Sequence, residues 1–417
     1  MLLVAVIMTW ESLPETLTMV PDASTPPAGQ YPYQSIGTLH DLNVAFANRN
    51  GRLYGIQDQY VFISEDGGRT FVRRGKLPPA RDDWTTIIKD RIARLKLTRW
   101  IRRNRGPENL VVLDSGTILV FWDRIYRSAD DGASFEVVYD RPQHGILAPF
   151  GNNEGVAAGP GTVYFGEYSA LPRPHAIRLL EGSNDGRDWR VVHTFPSGDI
   201  FHVHSIAYDR FRNRYWVCTG DNDSEDRILY TEDGFKTLQL LGGGSQDWRC
   251  VSLMITEKAL VWGSDNNQTA ASINRWNFAT QTLEKVLEVG KPTYSSTVLS
   301  SGLLALSTVY EPTSPYTQQF HPEPTTDLWV SIDGTCWNRI LSLPYRQETD
   351  RDGHMTRASL SFPAGFPTDD LYFTPQNTTL FDFETRILKL SPDKLPPCPE
   401  LQAADAAKAG SAQSVGQ

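Results

Sequence analysis

The sequence is poor in the features that mark several large protein classes. Only four of its 417 residues are cysteine (Cys218, Cys250, Cys336 and Cys398), and none stands in C-x-x-C spacing. That argues against a disulfide scaffold and against a zinc site of that type. No run of 18 apolar residues occurs, so no transmembrane helix is expected. The apolar residues 1–8 lack a basic leader and a small-residue cleavage site, so they do not read as a signal peptide. The compartment stays open, secretion included. Positive charge is not in excess: 40 Lys and Arg against 49 Asp and Glu leave a net charge of -9, which argues against a nucleic-acid partner. Methionine is scarce, at 5 residues.

What is present points to β-structure. The chain has 11 Trp, 16 Tyr and 18 Phe, and rings pack well on pleated surfaces. Its 32 Gly and 27 Pro supply many turns, and 40% apolar content is enough for a sizeable core.

An internal repeat organises most of the chain. Ser64-Glu65-Asp66-Gly67-Gly68-Arg69-Thr70-Phe71 matches Ser128-Ala129-Asp130-Asp131-Gly132-Ala133-Ser134-Phe135 position by position, giving S-x-D-x-G-x-[ST]-F. Shorter or weaker copies lie at Ser183–Trp189, Thr231–Gly234 and Ser331–Trp337. In each, the Asp can accept backbone N–H groups of a tight turn, the Gly supplies positive φ, and the aromatic anchors the turn. Flanking β-rich runs make each copy a hairpin turn. The spacing is 64, 55, 48 and 100 residues, the last fitting two units. Ser272–Asn277 falls where the motif-free hairpin of that double gap is expected, and Thr379–Glu384 fits a final motif-free unit. The result is seven units of roughly 50 residues, the size of a four-stranded propeller blade.

These turns resemble Asp-box (bacterial neuraminidase) repeats. The chain is similar to the sialidase-like β-propeller superfamily over residues 31–395. The resemblance implies an all-β, seven-bladed propeller, with residues 1–30 as an N-terminal extension and 396–417 as a disordered tail. An insertion at 85–105 is strongly basic, with Ile88, Ile92, Leu95 and Trp100 near helical spacing. It reads as a helix whose apolar stripe packs on the propeller, or as an anion-attracting wall or membrane-surface helix.

In that superfamily the box joins the third and fourth strands of a blade, on the face opposite the usual binding site. The start of each inner strand and the loop between strands two and three then point to the functional face. Blade by blade, this assigns to that face His202, His204 and Asp221; Glu154, Glu167 and Tyr168; Gln246, Arg249 and Asp265; Tyr294, Tyr310 and Glu311; and His354 and Arg357. His202, His204, Tyr294, Tyr168, Glu154, Glu167 and Asp221 are the catalytic candidates. Arg249, Arg357, Gln246, Asp265, Tyr310 and His354 are candidates for holding substrate. His202 and His204 also offer, with Asp221, a site for a divalent cation.

Three functions fit such a ring. Hydrolysis needs two suitably spaced carboxylates. True sialidases add an arginine triad, a Tyr–Glu nucleophile pair and an F/Y-R-I-P motif; the sequence lacks that motif, and seven units depart from the six blades of sialidases. β-Elimination of a uronate needs a cation to neutralise the carboxylate, with a His or Tyr base and acid. A glycan or protein receptor needs no chemistry. The expectation is a monomer cleaving a carboxylate-bearing glycan, leaning to a polysaccharide lyase.

Overall fold

A computed structural model of the chain describes residues 14–22, 32–78, 109–122, 124–140, 146–147, 156–169, 175–266, 268–314, 319, 323–347 and 356–396. The basic insertion and the C-terminal tail lie outside the described residues.

Among the described residues, seven blades of four antiparallel strands follow one another, as expected of a seven-bladed β-propeller; the sheets of blades 1 and 7 gain further edge strands, Ala364–Gly365 pairing in parallel with the inner strand of blade 1. Blade 1 runs Asn43–Ala47, Leu53–Gln57, Tyr60–Ser64 and Thr70–Lys76; blade 4 runs His202–Asp209, Arg214–Gly220, Arg227–Thr231 and Gln239–Gly243. The inner strands of all seven blades line a central channel. Phe46, Val111, Val156, Ser205, Met254, Ser295 and Phe362, the first six from inner strands and the last following that of blade 7, border a cavity of ≈ 360 Å³. Strands in the middle of blades are apolar on both faces because each is covered by two neighbouring blades; Ile118–Phe121, for example, is buried throughout.

The repeated turns close by the chemistry their residues supply. Ser64 Oγ accepts the Gly68 N–H at 2.9 Å and donates to Asp66 Oδ1 at 2.9 Å. Asp66 accepts the Thr70 N–H at 2.9 Å and the Thr70 hydroxyl at 2.7 Å. Gly67 and Gly68 sit at φ 68° and 80°. The same net recurs around Asp130, Asp233 and Asp333. The copy at 183–189 closes differently: Asn184 and Asp185 take positive φ, and Trp189 Nε1 donates to the Gly186 carbonyl at 2.9 Å. The anchoring rings Phe71, Phe235 and Trp337 are buried.

Two turns differ from expectation. In blade 5, residues 272–277 belong to the third strand, Ala271–Asn277, and the chain turns after it, where Asn277 Oδ1 caps the Ala279 and Thr280 N–H groups. In blade 7, residues 379–384 join the second strand to the third, so this loop lies on the opposite face from the repeated turns. Blade 7 has no hairpin between strands three and four, because its fourth strand is Tyr33–Leu39 from the start of the chain, paired with Thr385–Leu390. The ring thus closes by joining its two ends. A preceding segment straddles the junction. Thr16–Thr18 adds to the outer edge of blade 1, and Val20–Pro21 to that of blade 7. Asp22 then ion-pairs with Arg386.

Candidate functional site

The side chains of interest gather at the end of the channel where the inner strands begin. Their placement depends on backbone irregularity. In blade 4, Val203 pairs with Thr219 and Ser205 with Cys218, so His204 is the extra residue of a β-bulge. In blade 6, Thr293 pairs with Thr308 and Ser295 with Ser307, so Tyr294 occupies the equivalent bulge. Such bulges re-aim a side chain that a regular strand would direct elsewhere.

The first cluster centres on Asp221. His202 Nε2 and His204 Nε2 lie 2.8 Å apart, and each is 3.3 Å from Asp221 Oδ1. Arg249 Nη2 bridges Asp221 Oδ1 at 2.9 Å and Asp265 Oδ2 at 2.8 Å. The Tyr168 ring stacks on His202 with centroids 3.8 Å apart. Both histidines are buried, whereas the Asp221 side chain keeps 23% of its surface open. Asp221 holds φ at 150°, a conformation side chains other than glycine rarely adopt, and such strain concentrates at functional sites. Burial pushes His202 down to about 4, the hydrogen bond to Asp221 opposing only in part. Burial would raise Asp221, but hydrogen bonds from His202 and His204 outweigh it and hold the carboxyl well below its ordinary value. Burial lifts Asp265 to about 6 despite Arg249.

The second cluster sits beside it. Tyr294 donates its hydroxyl to Glu311 Oε1 at 2.6 Å. Arg357 Nη1 donates to the same oxygen at 3.3 Å, and its guanidinium lies 5.3 Å from the Tyr294 ring centroid. Burial, with Asp265 and Glu311 nearby, keeps the Tyr294 phenol protonated well above the usual tyrosine range. Arg357 remains 37% open and Glu311 25%.

Nine of the residues singled out in the sequence thus meet here: His202, His204, Asp221, Tyr168, Arg249, Asp265, Tyr294, Glu311 and Arg357. Gln246 stands behind them, donating to Asp226 Oδ2 at 2.5 Å and Asp223 Oδ1 at 3.2 Å. Glu167 is otherwise engaged: its buried carboxylate accepts the Arg178 N–H at 2.9 Å and pairs with the Arg178 guanidinium, bracing two strands. Tyr310 packs on Tyr345, centroids 5.2 Å apart, with its backbone bridged to Ala358. Glu154 and His354 lie outside the described residues. Asp226 was not singled out. Burial raises it to about 7, and its carboxyl accepts the Asp221 N–H at 3.2 Å. Its one sequence signal is its position closing the Gly220–Asp226 loop.

Among the described residues, no helix is long and apolar enough to cross a membrane. No family model and no curated protein matches the sequence. Solved structures do share the fold. An oligogalacturonate lyase in complex with manganese superposes with a TM-score of 0.52 at 12% identity, over 92% of this chain and 97% of that one. A chain of a mitotic checkpoint complex gives 0.50 at 11% identity, over 89% and 96%. The GH74 enzyme of Niastella koreensis gives 0.49 at 13% identity, over 81% and 53%. At such identities these likenesses concern architecture, and one architecture serves both an enzyme and a checkpoint assembly. The chain is similar to the oligogalacturonate lyase and the checkpoint chain in fold alone.

Proposed function

We propose that the chain is a carbohydrate-active enzyme that cleaves a uronate-containing glycan by β-elimination, within a sialidase-like propeller. The observation that carries this is the Tyr294–Glu311–Arg357 cluster, partly open to solvent, with a second cation, Arg249, nearby. The Arg357 side chain, partly exposed, brings a guanidinium that suits a substrate carboxylate, and neutralising that carboxylate acidifies the adjacent C5–H. In this reading Glu311 takes the C5 proton, the C4–O bond breaks, and Tyr294 gives its proton to the leaving oxygen. The proton on Glu311 then returns to Tyr294 along their 2.6 Å hydrogen bond, and the cycle closes. His202 and His204, first candidates in the sequence, are too buried to meet a sugar directly. Asp221 and Asp265 share Arg249 between them and belong to the cluster of the buried histidines, whereas Glu311 pairs with Arg357.

A second reading has its own support. A tyrosine hydrogen-bonded to a glutamate at 2.6 Å is also the arrangement of an activated phenol nucleophile, as the resemblance to sialidases implies. The test is incubation with a panel of polyuronates and sialosides, following both ultraviolet absorbance of unsaturated ends and release of reducing ends. Both signals rising together on a polyuronate support elimination. Reducing ends without absorbance favour the phenol nucleophile. Neither signal across the panel overturns both.

A further inference from the structure

We propose that His202, His204 and Asp221 form a binding site for a single divalent transition-metal ion. Their three donor atoms, two Nε2 and one Oδ1, stand 2.8, 3.3 and 3.3 Å apart. A point about 2 Å from all three lies roughly 1 Å to one side of their plane, and about 2 Å is the ordinary length of metal bonds to imidazole nitrogen and carboxylate oxygen. The donors therefore occupy one face of a tetrahedral or octahedral ion, and the remaining positions are left to water or substrate oxygen.

The donor set also decides which ions fit. Two imidazoles with one carboxylate suit the ions from manganese to zinc, whereas calcium and magnesium call for oxygen ligands. The surroundings hold each ligand in place. Tyr168 stacks on the His202 ring, the bulge at His204 turns it toward its partner, and the Asp221 backbone is held at φ 150°. Arg249 grips Asp221 Oδ1 at 2.9 Å while bound to Asp265, as outer partners orient metal ligands. Without an ion the cluster is poorly satisfied. Two Nε2 atoms face each other across a single carboxylate oxygen. Both Nδ1 atoms are buried with no hydrogen-bond partner among the described residues. An ion on both Nε2 atoms would fix each ring with its proton on Nδ1. Such an ion leaves each buried Nδ1–H to be accepted by a water, and it is the geometry of the three donors that points to the ion.

The site is separate from the Tyr294–Glu311–Arg357 cluster, and its test involves no substrate. Full-length protein, stripped with chelator and returned to chelator-free buffer, is titrated with Zn²⁺, Co²⁺ and Mg²⁺ by calorimetry, and the Co²⁺ complex is read by visible absorption. The expected result is one saturable Zn²⁺ or Co²⁺ per chain, with Mg²⁺ at least tenfold weaker and ligand-field bands that report nitrogen ligation. His204→Ala and Asp221→Asn should each weaken binding at least tenfold, with circular dichroism confirming the fold, while His193→Ala should leave it unchanged. If a variant fails to fold, the Co²⁺ spectrum of the unaltered protein decides. No saturable binding, no nitrogen-ligand bands, or folded variants that bind within twofold of the parent would overturn the proposal.

Discussion

Lys291 offers a stringent test of how the fold supports its site. It lies three residues before Tyr294, where the chain leaves blade 5 and enters the inner strand of blade 6. Its side chain is fully buried, and its ammonium donates to Thr325 O at 2.8 Å, Thr325 Oγ1 at 2.8 Å and Asp327 Oδ2 at 2.9 Å. All three protons are used, so the charge is paid for only while Asp327 remains opposite. Lys291→Met removes the cation and leaves the Asp327 carboxylate buried at 3% side-chain exposure. Breaking one partner of such a pair costs about 3–5 kcal/mol, whereas replacing both by apolar residues is often near neutral. Urea unfolding should therefore show Lys291→Met and Asp327→Asn each destabilised by about that amount, and Lys291→Met/Asp327→Leu destabilised markedly less than either single variant. The sign with pH follows. Burial would raise the Asp327 carboxyl, but the charge and hydrogen bond of Lys291, together with hydrogen bonds from Ser342 and Thr325, hold it below its ordinary value. The pair's contribution is thus fully present above the ordinary aspartate range and is lost as pH falls through the depressed folded value. The double variant should lack that acid loss. A single variant within about 1 kcal/mol of the parent, or a double variant no better than the worse single, would refute the reasoning.

Further outcomes follow from the same geometry. Tyr294→Phe and Glu311→Gln should each lower turnover on the cleaved glycan by about 10²–10⁴-fold, as loss of acid–base groups does, while Tyr310→Phe stays near the parent. Gly220→Ala should disturb the site from behind, since the added methyl would fall 2.4 Å from Asp226 Oδ1 and 3.0 Å from His204 Cε1; overpacking of this kind costs about 1–3 kcal/mol, read as a lowered unfolding midpoint. Hydrogen bonds from the Ser134 hydroxyl and N–H hold Asp130 down to about 2. The stability gained at that turn is therefore complete above the ordinary aspartate value and fades as pH drops toward 2, and Asp130→Ala should flatten that part of the acid unfolding curve.

The repeat was legible because its chemistry is local. A serine, an aspartate and a glycine within five residues close a turn whatever surrounds them, so Ser64–Phe71 and Ser128–Phe135 announced blades directly. The last blade misled for the opposite reason. Its fourth strand comes from Tyr33–Leu39, a long-range pairing that leaves no turn motif to find. The spacing of His202 and His204 announced a shared destination, but the bulges that aim His204 and Tyr294 leave no trace in composition or period. Glu167 resembled a candidate acid until Arg178, eleven residues on, proved to occupy it. Asp226 looked like one more loop carboxylate, and only burial against Gln246 sets it apart.

The central claim is that the axial cluster breaks a uronate glycan by elimination, and the mass of the products tests it most directly. A polyuronate digested by the full-length protein should yield new non-reducing ends one water lighter than hydrolysis would leave, and Tyr294→Phe should abolish them while retaining binding. Fully hydrated ends, or lighter ends undiminished in Tyr294→Phe, would contradict the account.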